Sequence, residues 1–221
     1  MTTTRPPLEA RITKSLLGYG VIAGPFYLLV VAAQAAMRPG FDPSRHPASV
    51  LANGSQGWIQ IANFLVTGAM TIASAVGVHR AIRPSRAGVW ASCLIGGYGA
   101  GLLAAGVFRA DPAPGFPPGT SESVTVSWHG VVHLLVATVG FACLIAACFV
   151  LGQWFARRGQ RGWAGYSRLT AILFAAGFGA ISVGSGAQAT VLMFTVSVVL
   201  GWLWLAAVSV HLYRGVPTDC G

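Results

Sequence analysis

Six long apolar stretches divide the chain, each separated from the next by a short polar segment. They run at about Leu16–Met37, Gly57–His79, Ala87–Phe108, Trp128–Phe155, Tyr166–Gly186 and Val191–Tyr213. Each is close to the roughly 20 residues that carry a helix across a hydrocarbon core of about 30 Å. None shows the period-two alternation of a half-buried strand. The pattern therefore predicts an all-α fold, an integral membrane bundle of six transmembrane helices. A cytoplasmic arm (1–15) precedes the membrane domain (16–213), and a cytoplasmic tail (214–221) follows it. The first stretch is longer than a signal-peptide core and ends at no clear cleavage site, so it reads as a retained helix. Pro25 lies inside it and is expected to kink it.

Two connections are long, and both are rich in proline. In the first, 38–56, Pro39, Pro43 and Pro47 interrupt regular structure, which leaves Ala48–Ala52 for a short interfacial helix. The second, 109–127, carries DPAPGFPPGT, whose prolines fix much of the backbone. A structured cap is expected there rather than a loose linker. Within the third span, GGYGAG sets Gly97 and Gly101 four residues apart, the small-xxx-small spacing of close helix packing.

Composition sharpens this picture. The 221 residues are 54% hydrophobic and 9% charged, against about 25% charged in an average soluble domain. The net charge of +9 would suggest nucleic acid as a partner in a soluble protein. Here it has another explanation. Arg5, Arg11, Lys14, Arg80, Arg83, Arg86, Arg157, Arg158, Arg161, Arg168 and Arg214 all fall on one side of the predicted membrane, and only Arg38, Arg45 and Arg109 on the other. Basic residues flanking spans mark the cytoplasmic side. Both termini are then inside, the two long loops are outside, and the partner is the lipid bilayer of the cell membrane, not nucleic acid. Cys93, Cys143, Cys148 and Cys220 form no CxxC pair and read as small fillers. Spans two and six both end in Val-His (Val78-His79 and Val210-His211). This fits either three repeated hairpins or the charge rule seen three times.

Polar residues near membrane depth cluster on the outer side. His46 follows Arg45 in the first long loop. Trp58 and Asn63, with Gln60 between them, begin span two. Arg109 and Asp111 end span three, Glu122 lies in the second loop, and His129 and His133 begin span four. His129 and His133 are one helical turn apart. That spacing can chelate a metal, but it lacks the glutamate of a zinc-protease helix. A third ligand would have to come from His46, Asp111 or Glu122, and such a set can hold zinc. The alternative is two interfacial histidines bonded to the ordered loop. Asp111 is a candidate acid or base with His129 or His133 as partner, or one half of an ion pair with Arg109. His46 is either a loop-packing residue or part of a lid. Haem is disfavoured, because the outer histidines share one helix face rather than opposing each other, and the inner ones, His79 and His211, would have to meet across the bundle.

Three runs, RHPASVLANGSQGWIQIANFLVTG (Arg45 to Gly68), AAGVFRADPAPGFPPGT (Ala104 to Thr120) and HGVVH (His129 to His133), resemble the bacterial and archaeal membrane family catalogued as domain of unknown function 998. The resemblance covers nearly the whole chain. The matching positions are Arg45, His46, Pro47, Ser49, Gly57, Trp58, Asn63, Phe64, Gly68, Asp111, Pro112, Gly115, His129 and His133. It implies the six-helix layout and assigns no activity.

Three functional classes fit these residues. The first is a membrane-embedded enzyme acting on a lipid or isoprenoid by hydrolysis or acid-initiated cyclisation. Its catalytic groups would be Asp111, His129, His133 and His46, with Arg45, Trp58, Asn63 and Arg109 contacting substrate. The second is a small-molecule or lipid binding or transport protein. Against coupled transport, no charged residue lies at mid-membrane. The third is a structural or accessory membrane protein in which the cluster only orders the outer loops.

Overall fold

The computed structural model describes residues 7–121, 123, 125–184 and 187–217. It is all-α. Six helices, each long and apolar enough to cross a membrane, are found among these residues. They are α1 (Leu8–Met37), α2 (Gly57–Ala81), α3 (Arg86–Val107), α4 (Trp128–Arg157), α5 (Arg161–Val183) and α6 (Gln188–Gly215). Four of the predicted spans sit inside these helices; α3 stops one residue short of the predicted Phe108, and α5 ends at Val183, whereas the predicted span runs to Gly186, which lies outside the described residues. The helices extend further at the ends carrying the basic residues. At 30 residues each, α1 and α4 are about 45 Å long and must project beyond the hydrocarbon. The first turns of α1 are held there by polar contacts. Arg80 at the end of α2 pairs with Glu9 and donates to the Thr13 hydroxyl (3.1 Å). α1 runs through Pro25 as one continuous helix.

The helices form a ring. Each packs against the next in the chain, and α6 returns against α1. Glycine sets the tightest seams. A Cβ on Gly68 (α2) would stand 2.8 Å from the Gly99 carbonyl of α3, and one on Gly101 (α3) would stand 3.0 Å from the Cα of Gly140 in α4. The GGYGAG segment is thus a helix-packing surface, as its spacing predicts. With lipid outside, such seams hold by van der Waals contact rather than by hydrophobic exclusion. Gly24 closes the ring, receiving Trp202 of α6. Toward the end carrying the termini, the ring is filled by large side chains that include Leu17, Val78, Leu151 and Trp204.

The opposite end is capped. The short helix expected at Ala48–Ala52 is present as a 3-10 helix, and it turns Val50, Leu51 and Ala52 into the protein. The expected cap over 109–121 is present. Ala113 and Phe116 exchange backbone hydrogen bonds (3.0 and 2.9 Å) around Pro114-Gly115, with Gly115 at φ +77°. Proline followed by a positive-φ glycine is the sequence of a type II turn. The turn drives Phe116 into a small core with Val50 and Leu51.

Candidate functional site

The two long loops are locked together by three groups. Arg38, directly after α1, donates to the carbonyls of Leu51 (2.5 Å) and Asn53 (2.6 Å) and lies 4.8 Å from the centre of the Phe116 ring. A buried guanidinium is tolerable when carbonyls and a π-face replace its water. His46 is also buried. Its Nδ1 accepts from the Asp42 backbone N–H (3.0 Å), so Nε2 donates to the Pro114 carbonyl (3.1 Å). Asn53 donates to Ala110 O (3.1 Å). At the outer surface, the Asp42 carboxylate accepts from the Ser44 hydroxyl and N–H. These bonds, the hydroxyl's above all, hold its pKa below the usual carboxylate value.

Asp111 has a similar fastening role. Oδ1 accepts from the Ser127 hydroxyl (2.5 Å) and Oδ2 from the Ser127 N–H (3.0 Å). Ser127 is the N-cap of α4 and itself accepts from Gly130 N (3.0 Å). The carboxylate therefore sits at a helix N-terminus, where the dipole favours negative charge. Gly130 makes room for it, because any Cβ there would run into the carboxylate.

Beneath this cap lies a cavity of about 590 Å³, within the usual range for a single small-molecule ligand. Its wall is largely apolar and aromatic, with Tyr27, Phe64, Tyr98 and Phe141 among the larger side chains. Asp111 and His133 line its cap end. His133 is buried, and its Nδ1 donates to the Phe108 carbonyl at the end of α3 (2.8 Å). The Ala105 carbonyl also lies near the ring, and no hydrogen bond within the usual geometry is made by Nε2 among the described residues.

The candidate residues therefore separate. Asp111 and His133 reach one cavity. His46 does not line it; both ring nitrogens are spent on the cap. His129 is exposed, one turn above His133, with its ring stacked on Trp128 (3.6 Å between centroids). Arg45, Trp58 and Arg109 are exposed on the outside of the bundle. Asp111 takes its partners from Ser127 rather than from Arg109. Asn63 is buried behind the cavity wall. Glu122 lies outside the described residues. Among those residues no three His, Cys, Asp or Glu side chains group to hold a metal ion. At the other end, His211 bonds Gln160 (3.2 Å) and stacks on Trp163 (4.5 Å).

Sequence reasoning missed one constellation. Gln34 of α1 donates to Gln60 Oε1 (2.8 Å), which also accepts from Asn63 (3.3 Å), and Asn63 reaches the Tyr27 carbonyl (3.2 Å). This buried carboxamide triad ties α1 to α2 next to the cavity. Gln34 Oε1, Gln60 Nε2 and Asn63 Oδ1 lack partners among the described residues. Its one trace in the sequence is Gln34 itself, a carboxamide inside an apolar span.

A family model described as Protein of unknown function (DUF998) matches residues 21–211, nearly the whole bundle. The chain belongs to the DUF998 family. In this member the match spans every helix and both capping loops. No curated protein and no solved structure matches the chain.

Proposed function

We propose that this protein binds a lipid-type or isoprenoid amphiphile in the capped cavity. The polar head would meet His133 Nε2, and the apolar chain would lie along the aromatic wall. The observation that carries this reading is the cavity itself: about 590 Å³ of mainly apolar space within a membrane bundle, with His133 and Asp111 at its polar end. The cap supports binding over an open channel, since both long loops are fastened across that end. The test is extraction in mild detergent followed by mass spectrometry of what co-purifies. Wild type should retain a stoichiometric amphiphile, and Ala137→Trp, which fills the cavity, should lose it. Wild type that carries none, and shows no saturable uptake of a fluorescent fatty acid or prenol, would sink the proposal.

A second reading, catalysis on such a ligand, is favoured by Asp111 and His133 lining the same wall. It requires Asp111 to act beyond its capping role. Turnover of the co-purified lipid that survives in Asp111→Asn and in His133→Gln would remove it.

A further inference from the structure

The wall of the cavity is not closed all the way round. On the inner half, α4 and α5 are zipped together. Gly152 lies against Ala164 and Ser167, and Arg168 donates to Gln153 (3.0 Å). The zip continues outward to Phe141, whose ring packs on Phe174 and Phe178 of α5, each at 5.2 Å, and on Phe194 of α6 at 5.6 Å. Beyond Phe141 the seam changes. Leu134 and Thr138 of α4 and Ser182 of α5 all line the cavity, yet all three are exposed, Leu134 at 65%. A wall residue exposed to that degree lies at an edge where the cavity meets the outside of the bundle. The Thr138 and Ser182 hydroxyls are satisfied within their own helices, by Leu134 O and Phe178 O. They therefore add no unpaired donor to a lipid-facing rim.

We propose that the outer half of the α4–α5 seam is a lateral portal, through which a single-chain amphiphile already dissolved in the bilayer enters the cavity. This rests on the amphiphile-binding reading and adds its route. The aqueous route is blocked by the interlocked cap: Arg38, His46 and Phe116 on one side, the Asp111–Ser127 clasp on the other. Where the portal opens, the helices face lipid, so the ligand that reaches it is the one lipid supplies. The aromatic stack at Phe141 is the portal's lower sill.

The experiment uses the full chain in phosphatidylcholine vesicles containing a monoacyl phospholipid with a diazirine in its acyl chain. Brief illumination at successive times, followed by peptide mapping, reads labelling of the interior residues Tyr98 and Phe141. The double variant Thr138→Trp, Ser182→Trp should slow interior labelling at least ten-fold. Val139→Trp, on the exposed surface of α4, should leave the rate unchanged. The same variants are labelled to equilibrium in mixed micelles, where cap fluctuations and long incubation give the probe other routes. Interior labelling of the double variant in micelles, with slow labelling in vesicles, is the expected result. Equal rates for wild type and the double variant in vesicles overturn the portal while leaving cavity binding intact. Absence of interior adducts from wild type in both settings overturns cavity binding, and the portal with it.

Discussion

The α2–α3 seam and the outer α4–α5 seam are both contacts between helices adjacent in the chain, and they differ in almost every physical respect. At the first, Gly68 and Gly99 bring backbone against backbone, so that a Cβ on Gly99 would stand 2.8 Å from Ile72 and 2.9 Å from the Gly68 carbonyl. At the second, Leu134 and Thr138 of α4 and Ser182 of α5 line the cavity yet stay exposed. In a bilayer, burial of apolar surface against protein gains little over burial against lipid. Close approach is what makes a helix contact strong, and its absence leaves a seam that lipid can fill. The same chain thus builds a rigid half from small residues and a looser edge from ordinary ones.

Substitutions can break or sharpen that contrast. The largest effect is expected for Gly99→Leu, which forces α2 and α3 apart; a loss of about 3 kcal/mol lies at the upper end for overpacking and should appear in detergent unfolding. Next is Arg38→Met. It deprives the Leu51 and Asn53 carbonyls of a charged donor, worth roughly 1.5–3 kcal/mol, and frees the cap from α1. Limited proteolysis of the 38–56 loop should accelerate, while the midpoint for the helices moves less. Ser127→Ala removes the α4 N-cap and the Asp111 clasp together, for about 1 kcal/mol or somewhat more. Thr138→Ala, at the loose edge, should change stability by no more than about 0.5 kcal/mol. A loss there comparable to Gly99→Leu would erase the distinction between the seams.

The smallest effect concerns acid. Because the Asp42 carboxyl titrates below its unfolded value of about 3.9, its contribution to the cap is present above that value. It fades as pH falls through the lowered, folded one. Ser44→Ala removes the main cause of the lowering. Amide exchange at His46 should then differ between wild type and Ser44→Ala at neutral pH and converge in strong acid. A difference that persists in acid strong enough to protonate Asp42 would assign the effect to something else.

Much of the fold was legible because hydropathy and basic residues act one residue at a time. The six spans, the packing face of GGYGAG and the ordered proline cap follow from composition and spacing. Helix ends did not. α1 begins at Leu8 rather than near Leu16, and α5 at Arg161 rather than Tyr166. Polar partners such as Glu9 and Arg80 extend helices where hydropathy has already fallen. The site was legible only in part. Spacing put His129 and His133 on one face, yet one is exposed and the other buried under the Phe108 carbonyl. That difference comes from where α3 ends beside α4, which a linear pattern does not encode. His46 had two readings, loop packing and part of a lid; its nitrogens go to Asp42 N–H and Pro114 O within the cap over the cavity, an arrangement that suits both. The Gln34–Gln60–Asn63 triad depends on two helices meeting, so no single segment announces it.

The return of α6 against α1 also bears on how the molecule is made. Of the six contacts that close the ring, five join neighbours in sequence and can form as each hairpin is inserted, since local contacts are quick to find. The sixth waits for α6 to leave the translocon, when Trp202 reaches Gly24. Until then α1 presents Gly24 and Tyr27 to lipid or to any insertion chaperone at hand. The cavity has no far wall before that moment, so the proposed amphiphile would enter only after α6 is in place.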